Sequence, residues 1–143
     1  MPALNTKKIY QAESYYHIYN RGVHSMTIFR QPKDYWRFRH IARDCQIIFP
    51  GIEVSAFSLM ENHFHLLIFK RQPRDMVRYM KALTQRYVLF FNQKYQLKGR
   101  LMESPFKGRL LSGEADREVC RQYILNNPLD SGYHDWKHVG ETI

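Results

Sequence analysis

Acidic side chains are in short supply in this chain. Thirteen Asp and Glu face 22 Lys and Arg in 143 residues, leaving a formal charge of +9 and a pI near 9.7. A surface so charged favours a polyanionic partner, nucleic acid first among them. Cysteine is scarcer still. Cys45 and Cys120 are the two present, in no C-x-x-C or comparable spacing, which excludes a cysteine-based metal site and reads as reduced thiols in a cytoplasmic protein. Long apolar runs are missing: no stretch approaches the ~18 residues of a membrane span. Residues 1–10 carry Lys7 and Lys8 but no apolar signal core, so neither secretion nor a membrane anchor is expected. Repeats and low-complexity segments are absent as well.

Aromatic and apolar residues, by contrast, are plentiful. Hydrophobic residues make up 44% and charged residues 24%, the balance of one packed domain over residues 1–143. Ten Tyr, nine Phe and two Trp exceed the needs of a core this size, and aromatic faces are what unpaired bases stack on.

The order of patterns along the chain predicts an α+β domain. Residues 1–13 read as a loosely held arm. Tyr15 to Tyr19 is an aromatic, β-branched strand ending in the turn Asn20-Arg21-Gly22. After Pro32, Tyr35, Phe38, Ile41, Ala42, Cys45, Ile48 and Phe49 recur at helical spacing until Pro50-Gly51. Val54 to Met60 and His63 to Phe69 form a buried hairpin across Glu61-Asn62. Pro73 opens the longest helix, with Met76, Met80, Leu83, Tyr87 and Phe90 as its stripe. Residues 96–107 lack periodicity and read as a loop over the site and a plausible hinge. Gly108 to Leu111 suggests a short edge strand. A last helix follows Ser112-Gly113, with Ala115, Val119 and Tyr123 at i+4, and ends near Asn127-Pro128. The tail has no pattern. Strand, helix, strand, strand, helix, strand, helix implies an antiparallel sheet with packed helices, ferredoxin-like.

Two features carry chemistry. In His63-Phe64-His65 the two histidines point to one face of a strand, a geometry that can hold a divalent metal. Two polar rings in so apolar a strand are costly without a partner. A strand pair of histidines is nevertheless often structural. Tyr123, equally, would ordinarily be a core residue of a helix ridge. Asn127 lies four residues on, one turn away on the same face, although Pro128 is expected to disturb the helix there. Tyr79, Tyr87 and Tyr95 are the alternative tyrosines.

The segments Tyr16-His17-Ile18-Tyr19-Asn20-Arg21-Gly22, Met60 to Leu67 and Tyr123 to Pro128, in this order, resemble the signature blocks of single-tyrosine HUH transposases. Among these the chain is most similar to the REP-associated tyrosine transposases, over residues 15–132. Glu61, and Ser104-Pro105 before Phe106-Lys107, depart from the pattern, where relatives carry a proline and an arginine. The resemblance implies an HUH endonuclease-like fold. It further implies Mg²⁺ or Mn²⁺ on His63, His65 and Asn127, Tyr123 as nucleophile, and cleavage and strand transfer of single-stranded DNA through a 5′-phosphotyrosine. The DNA would carry hairpin or palindromic ends, and a homodimer is allowed. Asn20 and Arg21, just past the first strand, are candidate DNA contacts, though Arg21 equally suits a solvated turn. The competing reading is a non-catalytic single-strand-binding module, because a basic ferredoxin-like sheet rich in aromatics also serves RNA-binding domains.

Overall fold

A computed structural model describes residues 13–71, 74–130 and 138–143, without the side chains of residues 128–130. The expected N-terminal arm, apart from Glu13, lies outside these residues, as do Pro73 and most of the tail. The strands are β1 (Ser14–Arg21), β2 (Ile52–Met60), β3 (His63–Lys70), β4 (Lys107–Leu110) and β5 (Val139–Gly140). The helices are α1 (Pro32–Ile48), α2 (Asp75–Tyr95) and α3 (Gly113–Asp130). The strands form one antiparallel sheet in the order β4-β1-β3-β2-β5. Through β4 this is the expected ferredoxin-like arrangement.

Strand alternation divides the side chains between two unequal cores. On one face Tyr16, Ile18, Phe57, Leu59, Phe64, Leu66 and Ile68 pack against Phe38, Ile41, Ala42 and Cys45 of α1. Met76, Tyr79, Met80, Leu83, Tyr87 and Phe91 of α2 complete this main core. On the other face a small cluster, Ala56, Leu67, Leu111, Cys120 and Ile124, seats α3 on β2 and β3. A bulge between Val54 and Ala56 resets the β2 register, bringing Ala56 opposite Leu67 and Ser58 opposite His65.

Five details differ from the pattern-based expectation. The α2 stripe ends on Phe91, not Phe90: both follow Tyr87 at helical spacing, and Phe90 instead lies half-buried beneath Arg37, 4.9 Å from the ring centroid. In α3 the buried ridge is Cys120 and Ile124, while Val119 is 70% exposed, so Tyr123 sits at the edge of the ridge. That helix continues through position 128 to Asp130, because a proline near a C-terminus costs little of the ladder and the packed face carries the turn. Asn127 therefore stays in register one turn beyond Tyr123.

Residues 96–107 are more than a surface loop. Leu101 and Met102 are buried, and Val23 N–H donates to Leu101 O at 2.8 Å. Glu103 N–H donates to Arg21 O at 2.8 Å, and Gly22 bridges Met102. Gly22 is required there by space, since a Cβ would lie 2.3 Å from Met26 O. Aperiodic segments can be buried when a neighbouring turn satisfies their backbone, and hydropathy periodicity carries no sign of it. The patternless tail likewise contributes β5, an edge strand two residues long.

Candidate active site

The face of the sheet under α3 collects the polar aromatics. On β1 the alternation Tyr15, His17, Tyr19, Arg21 presents these four side chains to it, paired across to Phe69, Leu67, His65 and His63 of β3. His63 and His65 thus share one face, as their spacing requires, with ring centroids 5.3 Å apart and ring planes nearly perpendicular. Helix α3 crosses this face and sets Tyr123 edge-on to His65, centroid to centroid 5.5 Å, and to His17 at 5.9 Å. Tyr123 is 49% exposed, so its ring is fixed by the histidines while much of it faces solvent.

Tyr79 and Tyr87 are wholly buried, with hydroxyls donating to the carbonyls of Ala42 and Ile28. Tyr95 donates to Asp34 at 2.5 Å. All three serve the main core and its margin, away from the histidines.

The imidazoles are held neutral. Burial pushes the His65 pKa down to about 3, with the neighbouring His17 and His63 adding to the effect. Burial, then the Arg109 guanidinium, lowers His17 to about 4. His63 is lowered too, chiefly by burial, while the Asn127 side chain beside it works in the opposite direction. Each ring is also oriented. His63 Nδ1 lies 2.7 Å from Asn62 Oδ1, and His65 Nδ1 lies 2.9 Å from His17 Nε2. The Asn127 Oδ1 is buried and makes no hydrogen bond of ordinary geometry. Among the described residues no three His, Cys, Asp or Glu converge as a metal cage. A divalent ion on His63 and His65 would draw any further protein donor from an amide, and the rest of its shell from water or phosphate oxygens. Two neutral imidazoles and a buried amide oxygen beside His63 fit that arrangement.

Two cavities, of about 420 and 470 Å³, share Tyr19 and His65 as lining. One reaches Asn20, Arg21, His63 and Lys107, and the other reaches Arg109 and Tyr123. Together they form a cleft edged by Arg21, Lys107 and Arg109. Arg21 is exposed and ion-paired with Glu103, which Lys107 also approaches at 3.4 Å. Arg109 is paired with Asp116 of α3 at 3.0 Å. Asn20 is 3% exposed and lines the first cavity through a committed amide, which donates to Ser104 O at 2.6 Å and Pro105 O at 3.2 Å. Its Oδ1 accepts from Arg21 N–H at 2.9 Å. His17, Tyr19 and Arg109 were not singled out from sequence. The signal for the first two was present in the strict alternation of β1, whereas Arg109 enters only through the β1–β4 register.

A basic ferredoxin-like sheet with a histidine pair and a facing tyrosine is a class of site suited to a polyanionic partner, and comparison with known proteins supplies the family. The family described as "Transposase IS200 like" matches residues 10–127, and the chain belongs to that family of DNA-processing enzymes. Among solved structures, a REP-associated tyrosine transposase bound to a REP hairpin is similar, with a TM-score of 0.73 at 16% identity over 91% of this chain and 78% of that one. A candidate transposase from Deinococcus radiodurans R1 has a TM-score of 0.55 at 17% identity, over 94% of this chain and 100% of that one. At such identities these two likenesses speak for the fold. No curated protein matches the chain. Among the described residues no helix is long and apolar enough to cross a membrane.

Proposed function

We propose that the protein cuts and rejoins single-stranded DNA next to a hairpin, through a covalent link to Tyr123. The observation that supports this best is the meeting of α3 with β3 on one sheet face. Tyr123 lies against His65, and Asn127, one turn on, lies beside His63. A backbone phosphate entering the cleft would be met by Arg21, Lys107 and Arg109, while Asn20 holds residues 104–105 in place behind them. The REP hairpin carried by the similar transposase suggests a hairpin-bearing strand as substrate here. Unpaired DNA suits the cleft because a flexible strand reaches the floor of a sheet more easily than a stiff duplex.

His63, His65 and Asn127 would hold Mg²⁺ or Mn²⁺, which when bound supplies Lewis-acid polarisation of the scissile phosphate. The Tyr123 oxygen attacks phosphorus in line, forming the P–O bond to tyrosine as the bond to the 3′-oxygen breaks. The phenolic proton is lost and the departing 3′-oxygen gains one, leaving a 5′-phosphotyrosine and a free 3′-hydroxyl. Attack of a 3′-hydroxyl on that linkage reverses the exchange, so joining needs no nucleotide cofactor. Helix α3 lies over the sheet face that an RNA-binding module would offer for stacking, which favours the catalytic reading.

The test is incubation with labelled single strands carrying hairpins, with Mg²⁺ or Mn²⁺, followed by denaturing electrophoresis. A denaturant-resistant protein–DNA adduct is expected. Tyr123→Phe should lose adduct and cleavage by at least ~10³-fold while still binding the strand, because only the attacking oxygen is removed. Undiminished cleavage by this variant would sink the assignment.

A further inference from the structure

His17 lies outside the proposed ligand set, yet it occupies one of the two nitrogens of His65. The 2.9 Å approach of His17 Nε2 to His65 Nδ1 leaves only Nε2 of His65 for any other partner. A neutral imidazole carries one N–H and one lone pair, so in this contact one ring donates and the other accepts. If His65 accepted at Nδ1, its Nε2 would bear the hydrogen and could bind no cation. If it donates, Nε2 is bare. We propose that His17 accepts the Nδ1 hydrogen of His65 and so fixes the tautomer in which Nε2 carries the lone pair. The proposal deepens the reading above and rests on it where His65 is taken as a ligand.

The surroundings fit this assignment. His65 is 8% exposed and cannot exchange its partner freely with water, whereas His17 is only partly buried and can satisfy its remaining nitrogen in either form. The contact is built by the sheet. Tyr19 pairs with His65 and His17 with Leu67, which sets His17 one pleat diagonally from His65. Tyr19 packs on both rings, at 5.2 and 5.9 Å between centroids, and Tyr123 closes their other edges. His17 is thus a positioning residue that acts through His65, as partners of metal-bound imidazoles commonly do.

Long-range ¹H–¹⁵N spectra of the full chain labelled in histidine nitrogen, recorded with chelator, report the tautomer directly. The wild-type His65 should be in the Nδ1–H form. His17→Phe keeps a ring but removes the acceptor, and should shift His65 toward Nε2–H. His17→Gln restores an acceptor oxygen and should restore the Nδ1–H form. In a Mn²⁺ titration His17→Phe should bind roughly 10- to 100-fold more weakly, with His17→Gln recovering most of the loss. A wild-type His65 in the Nε2–H form overturns the proposal without recourse to any variant, as does an unchanged tautomer in folded His17→Phe. Mn²⁺ uptake that survives both His63→Ala and His65→Ala would defeat the ligand reading instead, and the tautomer measurement would still decide the role of His17.

Discussion

Three imidazoles crowd one patch of sheet, and their neutrality carries a price in acid. An unfolded histidine titrates near ~6.5, while the folded protein holds His17 at about 4 and His65 at about 3. Between those values the unfolded chain binds more protons, so stability increases with pH across the window. The contribution is fully present above ~6.5, is lost progressively as pH falls, and levels off once the folded rings themselves protonate. Arg109, which faces His17, and Arg21, which faces His63, oppose protonation from the cationic side. With chelator present, the melting temperature should be flat between about pH 7 and 8 and should fall below ~6.5, less steeply in His17→Phe. A wild-type profile flat down to pH ~5 would contradict the burial of these rings. At this scale the sequence was legible where period two is visible: His63 and His65 share a face because they are two residues apart. Asn127 was legible only as a helical neighbour of Tyr123, and its link to His63 depends on where α3 crosses β3, which no local pattern encodes.

At the scale of elements, the turn after β1 joins parts of the chain far apart in sequence. Gly22 accepts the close approach of Met26 O, and its N–H donates to Asn62 O at 2.9 Å. Residues 101–103 are laced to the same turn, and Arg21 emerges from it toward the cleft. Gly22→Ala places a methyl against backbone and against Ile28, which sits in the main core. It should cost about 1–3 kcal/mol in urea unfolding and weaken DNA binding by displacing Arg21. Unaltered stability would mean that the turn relaxes freely. The long elements were readable because their apolar spacing is strong. Residues 96–107 and β5 were not, since their order comes from backbone hydrogen bonds to other elements, which composition does not announce.

For the whole molecule, the histidines of β3 and the tyrosine of α3 come together within one chain. Mixing Tyr123→Phe with His63→Ala protein should therefore restore no cleavage, even when mixed assemblies are demonstrated. Recovery would require α3 to be exchanged between subunits. The unequal division of the two cores has a further consequence. Helix α3 is retained by five buried residues, Ala56, Leu67, Leu111, Cys120 and Ile124, and by surface pairs such as Arg109–Asp116, whereas β3 is sealed beneath α1 and α2 by the whole main core. Regions with few buried contacts open at a fraction of the global cost. In native-state hydrogen exchange the α3 amides should lose protection well before those of β3, and Ile124→Ala should widen the gap by about 2–4 kcal/mol. In the proposed reaction the attacking oxygen would then ride on a detachable strut while the histidines stay on an anvil, so that a tyrosine bonded to DNA would swing away from one cut end and toward another without disturbing the platform on which either bond is exchanged.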